Sequence, residues 1–336
     1  MVTVTLYRKS DSQGCDEVLL FLNELQADYP HQLAVVDADQ IEMDRHVEAR
    51  TQFPYIKIGP YVIHAPFRKM DLQIALGASI DRAKHLENVG DKTYHQRITR
   101  GHTISKTDRF SYWLSKHLML LVNLGIFLYA GLPFLAPVLM KIDLVAPARV
   151  IYAMYSPLCH QLGFRSWFLF GEQFYYPRDL AHIPGVKTFE EETGITSKDI
   201  FEARAFIGNE KMGYKVALCE RDTAIYGSML LFGLIFALTG KKIKPIRWYF
   251  WLAFGLMPIA LDGFSQLPGL AGGLPSWVLL RESTPLLRVV TGALFGGTTA
   301  WYLYPLLEES MHETRTLLGA KMAIADQISG STETKS

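Results

Sequence analysis

Between residues 113 and 310 the chain carries four apolar runs, at 114–140, 223–240, 248–266 and 285–307. Each is long enough to cross about 30 Å of hydrocarbon at about 1.5 Å per residue. Hydrocarbon offers no hydrogen-bond partners, so runs of this length are expected to satisfy their own backbone as helices. A shorter stretch, 147–159, carries Arg149 and reads as an interfacial or re-entrant helix. Trp113, Trp248, Trp301, Tyr302 and Tyr304 sit where membrane–water belts place their aromatic side chains. The expectation is an all-α polytopic membrane domain of four transmembrane helices plus one short interfacial or re-entrant helix.

The average composition, 49% hydrophobic and 20% charged over 336 residues, hides a split. Residues 1–112 read as soluble, and a net charge of +1 gives no reason to expect a nucleic-acid partner. Residues 2–7 alternate as a half-buried strand. Val18, Leu19, Phe21, Leu22 and Leu25 give a helix face over 15–26. Residues 33–37 read as a second, parallel strand; 53–63 read as strand, turn and strand; and a helix begins at Asp71. The N-terminal residues have no basic region followed by an apolar one, so no secretory signal is expected.

This α/β order over about residues 1–80 resembles the thioredoxin fold, its glutaredoxin-like branch in particular. Pro54 before a strand matches the position where that fold carries a cis-proline. Active members lead from the first strand into Cys-x-x-Cys, whereas this window reads Ser12-Gln13-Gly14-Cys15. The resemblance therefore implies either a redox-dead adaptor or monothiol chemistry at Cys15, the redox candidate of this part.

Residues 81–112 form a basic linker (Arg82, Lys84, Lys92, Arg97, Arg100, Lys106, Arg109), read as a solvated or juxtamembrane segment. The loop at 241–247 is also basic. Positive residues stay inside, so both should face the cytoplasm of a prokaryotic inner membrane, with the N- and C-termini on that side. Residues 172–218 form an outer insert with a helix over 197–206. Residues 311–336 form a polar tail, read as disordered beyond Lys321.

With that topology, polar signatures from separate segments reach one level of the bilayer, its non-cytoplasmic rim. They are Cys159, His160, Gln161 and Arg165; Cys219, Arg221 and Asp222; Asp262 and Gln266; and Arg281, Glu282 and Arg288. Ionisable groups at the edge of hydrocarbon are costly unless they pair or serve a function. Cys159, His160, Cys219 and Asp262 are the candidate catalytic residues, and the remaining eight are candidate ligand-binding residues.

These positions are similar to an uncharacterised family of predicted prokaryotic membrane proteins, domain of unknown function two thousand and eighty-five. The carrying motifs are Cys159-His160-Gln161, Arg165-Ser166, Cys219-x-Arg221, Tyr226-Gly227, Asp262-Gly263, Arg281-Glu282 and Arg288 with Thr291-Gly292. The resemblance spans about residues 117–310 and implies a membrane fold and a shared site but no known reaction. The long insert and the fused front domain depart from it.

Several chemistries fit the residues. Cys159 and Cys219 on an oxidising face could form a disulfide, either a staple or a redox pair serving quinone or a thiol partner, or could stay free buried thiols. Cys159, His160 and Cys219 could instead bind zinc or another transition metal, completed by Asp222, Asp262 or Glu282. The arginines either neutralise the acids or hold the phosphate of a phosphorylated lipid, with His160 or Asp262 as acid or base. A non-enzymatic subunit docking on partners of a membrane complex is a further reading. Membrane lipids are expected partners in every case.

Overall fold

Val4 and Leu6 point to one face of β1 (Val2–Arg8) and are fully buried, as the alternation of this segment requires. A computed structural model describes residues 2–9, 14–39, 52–91, 103–196, 199–267 and 281–333. It separates into two compact units, Met1–Leu118 with Glu309–Ser336, and Met119–Glu308.

In the first unit β1 pairs in parallel with β2 (His31–Asp37) and antiparallel with β3 (Tyr55–Ile58). β4 (Tyr61–His64) closes the sheet in the order β2-β1-β3-β4. Val18, Leu22 and Leu25 of α1 (Cys15–Leu25) recur at helical spacing, as do Leu72, Ala75 and Leu76 of α2 (Lys69–Asn88). Both stripes join the core under the sheet. The mixed front sheet expected from sequence is therefore present. The Phe53-Pro54 peptide is cis. Ser12 and Gln13 lie outside the described residues.

Helix α3 (Lys106–Lys141) begins within the expected linker. Its start is set by a reciprocal cap: Ser105 Oγ accepts from the Asp108 amide at 3.0 Å, and Asp108 accepts from the Ser105 amide at 2.9 Å. Among the described residues, two helices, Lys106–Lys141 and Glu220–Leu238, are individually long and apolar enough to cross a membrane. The third expected span is divided into α8 (Trp248–Phe250), a π-helical segment (Trp251–Leu256) and α9 (Met257–Ser265). The fourth lies within α10 (Pro285–Glu333).

The tail expected to be disordered after Lys321 is instead the last part of α10. Contacts within the first unit hold it, among them Arg315 to the Ser115 carbonyl at 2.6 Å, Lys321 to Asp108 at 2.7 Å, and Gln327 to the Val35 amide at 2.6 Å. Gln327 also donates to the Val35 carbonyl, at 2.5 Å, so its amide occupies part of an open sheet edge.

The second unit corrects the all-α expectation. α4 (Val145–Tyr155) turns Ala148, Ile151, Tyr152 and Tyr155 inward. A small sheet follows, in the order β5-β7-β6, from β5 (Ser166–Leu169), β6 (Gly208–Asn209) and β7 (Gly213–Cys219). α5 (Phe189–Thr193) and α6 (Ile200–Ala205) flank it, with Phe164, Phe168, Tyr176, Phe189 and Met212 in the core. β7 is buried on both faces, so it lacks the alternation that would have identified it as a strand.

β7 passes directly into α7 (Glu220–Leu238). Two glycines let α10 lie against α7. A Cβ at Gly292 would stand 2.7 Å from the Arg221 carbonyl oxygen, and one at Gly296 would overlap the Ile225 carbonyl. Small residues four apart permit such close helix contact in membranes.

Candidate functional site

The head of α7 supplies three groupings from four consecutive residues. Successive helical residues turn by about 100°, so neighbours point apart while residues three apart share a face. Cys219 is the N-cap, and its Sγ accepts from the Asp222 amide at 3.4 Å. That places Cys219 and Asp222 on one side. Cys159, delivered by the turn after α4, meets them: one ligand atom from each of the three residues lies within 4.8 Å of the others. Cys159 is buried, Cys219 and Asp222 are partly buried, and both thiols are free.

The two thiols are electrostatically unequal. A hydrogen bond from Cys219 holds the Cys159 thiol below its usual range, against the opposing effect of burial. The same bond, burial and the nearby negative charges of Cys159 and Asp222 push Cys219 well up. His160 is exposed and stands outside this group.

Glu220 and Arg221 serve two other groups. Glu220 accepts from Arg288 at 3.0 Å. Arg288 also donates to Glu282, which takes a two-pronged contact from Arg165 at 2.8 and 2.9 Å and a further bond from Arg178 at 3.1 Å. The rings and charges interleave: the Arg165 and Arg178 guanidinium carbons lie 5.6 and 5.1 Å from the Phe164 ring centre. Arg221 donates to Asp262 at 2.5 Å. Asp262 also accepts from Arg281 at 3.2 Å, Ser283 at 2.9 Å and Gln266 at 3.2 Å.

Arg165, Arg221, Arg281 and Arg288, the site arginines expected from sequence, thus each donate to a carboxylate. Asp222, expected among their partners, instead faces the thiols. Gln161 spends its side-chain amide on the carbonyls of Tyr152 and Ala217, at 2.9 and 3.1 Å, and so braces the turn beside Cys159. Sequence reasoning missed Arg178 and gave Glu220 no role. Glu220 lies inside the Cys219–Asp222 run and could have been included. Arg178 lies in the insert, where nothing in the pattern distinguishes a buried arginine from a solvated one.

Residues 204–302 match the family described as "Predicted membrane protein (DUF2085)". The match includes Cys219, Asp222, Asp262, Glu282 and Arg288 and begins after Cys159, Arg165 and Arg178. An uncharacterized protein of Methanocaldococcus jannaschii is 29% identical over 167 residues, covering 48% of this chain and 72% of the relative. No solved structure matches the chain.

Proposed function

We propose that this is an integral membrane protein whose Cys159, Cys219 and Asp222 form a metal site for a thiophilic divalent ion, with zinc as the reference. The carrying observation is the convergence of two thiols and a carboxylate, from segments 60 residues apart, within 4.8 Å. A tetrahedral zinc with bonds near 2.3 Å spaces its sulfurs by about 3.8 Å, so an inward movement of about 1 Å closes the set. Three protein ligands leave a fourth position for water or substrate, the arrangement of catalytic zinc sites. The two ionic groups beside it hold α7, α9, α10 and the insert in register.

Similarity to a predicted membrane-protein family supports the membrane reading. The most apolar windows of α3 and α7 are only 17% and 11% buried, which suits lipid-facing surface better than a soluble core. The full reading has four crossings: α3, α7, α8 with α9, and the first half of α10. Basic residues at 81–112 and 241–247 favour cytoplasmic termini in an inner membrane. The β2-β1-β3-β4 order of the first unit favours a thioredoxin-like adaptor, with Cys15 buried at the start of α1.

The test is metal analysis of protein purified from membranes, loaded with zinc and washed. One zinc per chain is expected. Cys159→Ser and Cys219→Ser should abolish retention, and His160→Ala should leave it intact. Cobalt loading should give a thiolate charge-transfer band that disappears with either serine. Equal retention in the double serine variant would refute the site.

The unequal thiols favour a second reading, a redox pair. Two thiols would become one disulfide, with two electrons and two protons passing to a quinone to give quinol. Trapping of both thiols without change after quinone treatment would rule it out.

A further inference from the structure

A cavity of about 290 Å³ opens beside α6, lined by Tyr152, Ser156, Gln161, Phe201, Arg204 and Lys215 among others. Lys215 is 1% exposed. Two of its three N–H bonds go to the carbonyls of Gln161 and Arg204, at 2.8 and 2.6 Å. Arg204 donates to the carbonyl and hydroxyl of Ser156, at 2.7 and 2.5 Å. Among the described residues, neither cation has a carboxylate within ion-pair distance. The contrast with Arg165, Arg178, Arg221, Arg281 and Arg288 is sharp, since each of those is matched to an acid. Buried charge is costly without a partner. Here the two positive groups line one open cavity.

We infer that this cavity binds a phosphoryl oxyanion. A guanidinium fork and a compact ammonium are the pair that phosphate recognition uses, and a phosphate monoester carries close to the charge needed to balance both. The volume is at the small end for ligand pockets, suited to a headgroup-sized ligand. The mouth has an apolar side in Phe201, which lines the cavity and is 85% exposed. A phosphorylated lipid could lay its chains there, while free phosphate would use the cations alone. This site is separate from the arginine–carboxylate groups and does not depend on the metal reading.

The test is calorimetric titration of the full chain in dodecyl maltoside with inorganic phosphate, dioctanoyl phosphatidic acid or dioctanoyl phosphatidylcholine. Saturable binding of phosphate or phosphatidic acid is expected in the wild type. It should weaken at least ten-fold in Arg204→Gln and in Ala153→Trp, which fills the mouth without removing a charge. Binding of phosphate assigns the site to the free ion, and binding of phosphatidic acid alone assigns it to a lipid headgroup. Circular dichroism and gel filtration check that each variant is folded, and either variant suffices. Failure of both probes to saturate, wild-type affinity in the folded variants, or equal binding of phosphatidylcholine would overturn the inference.

Discussion

Replacing Glu282 with glutamine keeps the side chain's shape and removes its charge. The native carboxylate has no exposed surface and accepts from Arg165, Arg178 and Arg288. With Glu220 it offsets those three guanidiniums. The substitution therefore leaves three cations against Glu220 and the more distant Glu190, 3.9 Å from Arg178, and turns an amide N–H toward guanidinium donors. Removing one partner of a buried ion pair costs about 3–5 kcal/mol. Arg288 keeps Glu220, so the lower part of that range, about 3 kcal/mol, is expected. The control is Arg281→Gln. Its side chain is 37% exposed and its partner Asp262 keeps Arg221, so solvent screening should hold the loss to about 1 kcal/mol or less. Reversible unfolding in mixed micelles, followed by tryptophan fluorescence as the denaturing detergent fraction rises, measures both. A Glu282→Gln loss no larger than that of Arg281→Gln would refute the view that burial makes this cluster a stability element.

Gly296→Val should cost about 3 kcal/mol or prevent folding, because its Cβ meets the α7 backbone; Gly297→Val, where the nearest side-chain atom is 3.9 Å away, should change stability by less than about 1 kcal/mol in the same assay. Burial lowers the Lys215 pKa to about 7, with Cys159 raising it and Arg204 lowering it further. The unfolded chain, with an ordinary lysine pKa, then holds an extra proton between about pH 7 and 10.5, so folding stability should rise with pH across that window. Lys215→Met should flatten the rise, by an amount on the order of a few kcal/mol in phosphate-free buffer; equal slopes in both proteins would contradict the burial of a titrating lysine.

Local patterns were legible wherever one periodicity governed a segment. The front sheet and its two helices could be read because Val4 and Leu6 alternate while Val18, Leu22 and Leu25 recur at helical spacing. β7 was not legible: a strand covered on both sides looks like any other apolar stretch. The end of α10 was misread because polar composition suggested disorder, whereas Arg315, Lys321 and Gln327 hold it through tertiary contacts. In the candidate site, residue types at Cys159, Cys219 and Asp262 were visible, but partner choice was not. Which acid meets which arginine depends on helix rotation, so Asp222 turned to the thiols while Glu220 met Arg288.

Because β7 ends at Cys219 and α7 begins at Glu220, the joint between them has no slack. Adding or deleting one residue there would swing Glu220, Arg221 and Asp222 by about 100° and mispair all three together. Length variation among relatives should therefore avoid this junction and collect in the turn around residues 183–186, ahead of the Lys187 backbone that Gln173 holds.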